Sequence, residues 1–208
     1  NVFVFGGCDG GTVREVLRHS NIEKVTMVEI DGEVIKACKE HLPEIAASFD
    51  DPRLELIVDD GIAFVQNAPD AVYDLLIVDG SDPVGPAEGL FSVDFYQNCY
   101  RTLKADGILV AQGESPKFNE KAFAELNQTL QGIFGEQNAP VGLFFVPTYP
   151  TGMWSFQYGL KGAVDPRKVS NTDAIKAFVA EKGLRYYNED IHFSTFALPN
   201  FVKQLIQK

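Results

Sequence analysis

Through the first half of the chain, short apolar runs alternate with longer stretches at helical spacing. Asn1-Val2-Phe3-Val4-Phe5 is a continuous run of β-branched and aromatic side chains, which predicts a strand buried on both faces. Four glycines fall within Gly6–Gly11, and from Gly11 to about His19 the spacing turns helical. Lys24–Glu29 predicts a second strand, followed by a helix from about Asp31 that stops before Pro43. Leu54–Val58 is a third strand, and Asp59-Asp60-Gly61 is the turn into another helix. Tyr73–Asp79 predicts a central strand, Phe91–Leu103 a helix and Gly107–Gln112 a fifth strand. Phe118–Phe134 is the longest helical stretch. Val141–Val146 and Trp154–Leu160 predict a closing antiparallel pair around the turn PTYPTG. Helices near Thr172–Lys182 and Leu198–Ile206 complete the tail.

Strands alternating with helices mean a parallel sheet covered on both faces. The final pair adds an antiparallel edge. The expected fold is α/β: a Rossmann-like, S-adenosylmethionine-methyltransferase-type, mostly parallel seven-stranded sheet. No repeat, linker or composition break divides the sequence, so residues 1–208 are expected to form a single α/β domain.

Ligands of such sheets bind beyond the carboxyl ends of the strands. Asp9, Glu29, Asp60, Asp79 and Gln112 fall at those ends. Gly6 and its neighbours supply the sharp turn and the close backbone approach that a nucleotide needs. Glu29 stands about twenty residues after the glycine loop, where such folds use an acid to accept hydrogen bonds from a ribose diol. Asp9 is anomalous, because a carboxylate in this loop repels phosphate and no Lys offsets it. It either caps the following helix or faces a cationic ligand. One strand-end acid is ordinarily a cap; four directed to one crevice exceed what capping requires.

Composition narrows the partners. Apolar residues make up 45% and charged residues 23% of the 208, ordinary for a globular protein. A net charge of −11 argues against nucleic acid and suits small cationic partners. Cys8, Cys38 and Cys99 are odd in number and far apart, which implies no disulfide framework and points to the cytoplasm. His19, His41 and His192 show no ligand spacing, so no metal site is expected. No apolar run reaches the ~20 residues that span a bilayer, so no membrane partner is expected. The chain begins inside a strand, as a piece of a longer protein would.

The loop after the fourth strand is the most specific stretch. Two aspartates three residues apart, Asp79 and Asp82, are followed by fixed backbone at Pro83 and Pro86. DGSDPVGPAEGLF, with GGCDGG, VEID, DDG, QGE, PTYPTG and YYNEDIHFSTFALPNF, resembles the polyamine aminopropyltransferases from residue 1 to about residue 203. The resemblance implies transfer of an aminopropyl group from decarboxylated S-adenosylmethionine, a co-substrate rather than a tightly bound cofactor, to putrescine. The products would be spermidine and methylthioadenosine. By motif position Glu29 would hold the ribose hydroxyls. Asp60 and Gly61 would meet the adenine, with Pro86 and Ala87 lining the same pocket. Asp9 would bind the amine of the aminopropyl arm. Asp79 would be the general base, while Asp82, Gln112 and Tyr149 would position the diamine. A homodimer or homotetramer is implied as well.

The residues themselves agree with this chemistry. Putrescine is a dication at neutral pH, and only a neutral amine attacks carbon, so one carboxylate must take a proton and others must hold the distal ammonium. The carboxylate of ordinary S-adenosylmethionine would be repelled near Asp9. Two positions depart from the pattern: Cys8 replaces the usual third Gly, which requires a negative φ there, and Gly80 replaces the usual Ser or Cys, which would loosen the turn. The family's small N-terminal β-domain is expected to be absent. Two rival readings share the scaffold: an S-adenosylmethionine-dependent polyamine N-methyltransferase and a non-catalytic nucleotide- or polyamine-binding subunit.

Overall fold

The computed structural model describes residues 1–81 and 89–207. Their contacts separate into two compact units, one spanning Asn1–Gln112 and the other beginning at Gly113.

The first unit alternates strands and helices. Strands β1 (Val2–Gly6), β2 (Val25–Glu29), β3 (Leu54–Val58), β4 (Tyr73–Asp79) and β5 (Leu103–Gln112) are separated by helices α1 (Gly11–Leu17), α2 (Gly32–His41) with the short α3 (Pro43–Ala46), α4 (Gly61–Asn67) and α5 (Val93–Thr102). All five strands run parallel, in the order β3-β2-β1-β4-β5. The chain therefore builds outward from β1 to β3, returns across β1 and continues to β5. The reversal falls between β1 and β4, where the loops leaving the two strands part and open a crevice.

The continuous apolar reading of β1 is explained by burial on both faces. Val2 and Val4 point into a core with Val13, Leu17, Val25, Met27, Ile35 and Cys38. Phe3 and Phe5 point the other way, into an aromatic layer. Phe5 meets Phe95 edge-on at 4.8 Å, and Phe3 lies 5.1 Å from Tyr73 and 5.3 Å from Phe64. Such offset and edge-on pairs add to the simple burial of their area.

Helix starts follow their caps. Asp31 accepts from the N–H groups of Glu33 and Val34, and Ser92 accepts from Phe95, fixing the starts of α2 and α5. The ends of the expected elements fall within two residues of expectation, with one exception. β5 begins at Leu103 rather than Gly107, because the fully buried Leu103 pairs with Tyr73 before the ladder breaks register and resumes at Ile108 opposite Leu75. Lys104–Asp106, between the expected helix and strand, belongs to the observed strand.

The second unit contains α6 (Glu120–Phe134), the antiparallel pair β6 (Val141–Phe145) and β7 (Met153–Leu160), and helices α7 (Thr172–Lys182), α8 (Glu189–Ser194) and α9 (Asn200–Ile206). Phe123, Val141 and Val202 form its core, with Leu143, Leu198 and Leu205 against them. The turn between β6 and β7 uses left-handed backbone at Thr151 and Gly152 and closes with the Val146 N–H donating to the Gly152 carbonyl at 2.8 Å. α8 was not foreseen from the sequence: it is one and a half turns long, too short for periodicity to register, although Asn188 caps it by accepting from Ile191 at 2.8 Å. Among the described residues no helix is long and apolar enough to cross a membrane.

Candidate active site

The β1–α1 loop is shaped by left-handed backbone at Gly6, Gly7 and Gly10, with φ of 67°, 75° and 84°. Gly6 stands directly opposite Asp79 at the end of the β1–β4 ladder. A Cβ on Gly6 would lie 2.4 Å from the Asp79 carbonyl oxygen, so only glycine lets the two strand ends approach this closely. Cys8 has no positive φ, so its side chain is tolerated where the family pattern has glycine.

Around these strand ends lies a cavity of about 380 Å³. β1 and its loop contribute Phe5, Gly6, Gly7 and Cys8; the end of β2 contributes Glu29 and Ile30; and the β3–α4 turn contributes Asp60, Gly61 and Ile62. The end of β4 adds Asp79, Gly80 and Ser81, and Leu90 closes one side. The absent side chain of Gly80 leaves no void, since a Cβ there would meet Leu90 Cδ1 at 2.9 Å.

Three of the four expected strand-end acids line this cavity. Glu29 is almost wholly buried at the end of β2 and accepts from the Asp31 N–H at 3.0 Å. Asp60 accepts from the N–H groups of Ile62 and Ala63 at 2.8 and 3.3 Å, capping α4. Asp79 accepts a 2.5 Å hydrogen bond from the Thr12 hydroxyl. Burial pushes the Asp79 carboxyl above its ordinary range; the Thr12 hydrogen bond opposes that rise and the charge of Asp9 adds to it. Asp9 is not among the lining residues. It accepts from the Gly11 N–H at 2.7 Å, just before α1.

The remaining expected residues lie elsewhere. Gln112 ends β5, partly buried, and does not line this cavity. Tyr149 belongs to the second unit, where it is about half exposed and meets Trp154 edge-on at 4.7 Å. Asp82, Pro86 and Ala87 lie outside the described residues. Sequence reasoning missed Ile30, Ile62 and Leu90 as apolar walls. It also missed Thr12, whose contact with Asp79 spans 67 residues. The only signal for Thr12 was a hydroxyl placed directly after the last glycine of the loop.

A partly buried carboxylate with a raised pKa, a second, nearly buried acid at the end of β2 and apolar residues in the same lining suit a cationic nucleoside and a proton transfer. A family profile described as the spermine/spermidine synthase domain matches residues 1–167. The chain belongs to this family. The polyamine aminopropyltransferase of Moorella thermoacetica is 47% identical over 98% of this chain and 69% of its own length. That of Clostridioides difficile is 45% identical, covering 100% of this chain and 72% of its own. Among solved structures, a spermidine synthase in complex with the transition-state analogue AdoDATO superposes with a TM-score of 0.93 at 40% identity, covering 99% of this chain and 69% of the other. Spermidine synthase from Thermotoga maritima gives 0.90 at 39%, covering 99% and 68%. The expected α/β, methyltransferase-type fold with its mostly parallel sheet and antiparallel edge pair is therefore that of the family.

Proposed function

We propose that this chain is an aminopropyltransferase that makes spermidine and methylthioadenosine from putrescine and decarboxylated S-adenosylmethionine. The observation that carries the reading is Asp79. It sits at the switch point of the sheet, lines the nucleoside-sized cavity and is pushed by burial toward the pKa of a working base.

The reaction needs one ammonium of putrescine to lose a proton. The freed nitrogen lone pair attacks the aminopropyl carbon bonded to sulfur, the C–S bond breaks, and its electrons return to the sulfonium as a neutral thioether. Asp79 takes the proton. Glu29 holds the ribose hydroxyls, and Asp60 and Gly61 meet the adenine edge at the start of α4, with Ile30 and Ile62 as apolar walls. Asp9 attracts the ammonium of the aminopropyl arm. Pro86 and Ala87 for the adenine, and Asp82, Gln112 and Tyr149 for the diamine, are assigned from their places in the family's motifs. In this reading the whole chain serves one catalytic domain, and the protein works as a cytoplasmic homodimer or homotetramer.

The deciding assay follows methylthioadenosine release from decarboxylated S-adenosylmethionine and putrescine, in the protein and in its Asp79→Asn variant. Release that falls by about 10²-fold or more in the variant supports both the reaction and the base. Equal release by both removes Asp79 from that role. Tight methylthioadenosine binding without turnover supports a binding subunit instead.

A further inference from the structure

The proposed reaction leaves one contact of Asp79 without a task. Thr12, the second residue of α1, donates its hydroxyl to Oδ2 at 2.5 Å. Gly7 lies against the same oxygen, which a Cβ at that position would meet at 3.2 Å, and the Gly7 N–H donates to the Asp79 carbonyl at 3.2 Å. Both the backbone of Asp79 and one of its carboxylate oxygens are thus tied to the glycine loop. The described residues place no hydrogen bond on Oδ1. A carboxylate turns easily about its last bond, with broad, two-fold preferences. A donor fixed on a helix removes that freedom.

Resting on the aminopropyl-transfer reading, the geometry points to Thr12 as a positioning residue that holds Oδ2 of Asp79 and so presents Oδ1 to the attacking amine. The same hydrogen bond links the base to the helix that follows the loop lining the nucleoside cavity. Thr12 does not itself line that cavity, so its effect falls on the base rather than on donor binding.

Thr12→Val keeps the shape of the side chain and removes the hydroxyl; Thr12→Ser keeps the hydroxyl. A hydrogen bond to a charged group supports about a tenfold fall in kcat for the valine variant, with the donor KM within about twofold. A lost donor disfavours the carboxylate form, so the acid limb of the pH profile moves to higher pH, by up to about one unit. Thr12→Ser restores both. Unchanged kcat and acid limb in Thr12→Val, or a serine variant as impaired as the valine one, overturns the assignment. A ¹³C-carboxyl titration of Asp79 in the unliganded protein reads the same contact without turnover. If Asp79 titrates higher in Thr12→Val while the parent protein transfers no aminopropyl group, the functional reading falls and the hydrogen bond's hold on Asp79 stands. If the parent turns over and the titration does not move, the inference about Thr12 alone falls.

Discussion

Replacing Gly6 by alanine tests whether the approach of β1 to β4 builds the site. The new Cβ would stand 2.4 Å from the Asp79 carbonyl oxygen, a backbone atom that cannot swing aside. Gly6 also has a φ of +67°, which costs an alanine about 1–2 kcal/mol by itself. Relief of the clash requires the last rung of the ladder to open, endangering the Gly7 N–H to Asp79 hydrogen bond, worth about 0.5–1.5 kcal/mol, and adding packing strain of about 1–3 kcal/mol. Together these terms give a destabilisation of about 2.5–6.5 kcal/mol. Gly183→Ala is the control. Its φ is +61° but nothing lies within 4 Å of a Cβ there, so it carries the conformational cost alone, about 1–2 kcal/mol. Urea unfolding followed by circular dichroism gives both values, and calorimetry with methylthioadenosine reads the cavity. The expected outcome is a markedly lower midpoint and lost binding for Gly6→Ala, with binding intact in Gly183→Ala. Equal destabilisation by the two, with binding kept in both, would refute the claim that backbone proximity shapes the cavity.

Two further predictions concern titration. The Asp79 carboxyl is raised in the folded state, mainly by burial, so its folded form binds a proton more readily than the unfolded chain. Asp79 therefore lowers stability once pH rises through its ordinary range toward its folded pKa, and Asp79→Asn is expected to raise the melting temperature at neutral pH while lowering turnover by about 10²-fold or more; a fall in melting temperature would count against this. Asp165, with a side chain only 7% exposed and in contact with Arg167 and Lys168, is held down to about 2. Its carboxylate stabilises the fold above about pH 4 and loses that contribution as pH falls through about 2, so Asp165→Asn should cost about 1–2 kcal/mol at pH 7, and the gap to the parent should narrow steadily from pH 4 to pH 2 in acid-titrated urea melts.

Where the sequence was legible, local physics sufficed. β3 and α7 begin and end where expected, one as an isolated apolar run between polar turns, the other between the Asn171 cap and Gly183. The acids Glu29, Asp60 and Asp79 were legible because parallel strands put their carboxyl ends on one edge. What was hidden depends on tertiary proximity. No periodicity places Thr12 against a residue 67 positions away. Leu103 is a strand residue only because Tyr73 pairs with it, and the gap at Gly80 is filled only because Leu90 folds back toward it.

Capping and ligand binding, which compete for each strand-end acid in sequence reasoning, turn out to be compatible in the structure. A carboxylate has two oxygens and about four lone-pair directions. Asp9 commits Oδ1 to the Gly11 N–H, Glu29 commits Oε1 to the Asp31 N–H, Asp60 commits Oδ1 to the first turn of α4, and Asp79 commits Oδ2 to Thr12. In each case the described residues place no hydrogen bond on the other oxygen. The local bond fixes the side chain's direction before any ligand arrives, which removes part of the ordering cost of binding. The same arrangement keeps four anionic groups from collapsing onto neighbouring N–H groups with both oxygens. On the proposed reading a cationic substrate would meet acids already oriented, each held by a bond at a helix start or glycine loop.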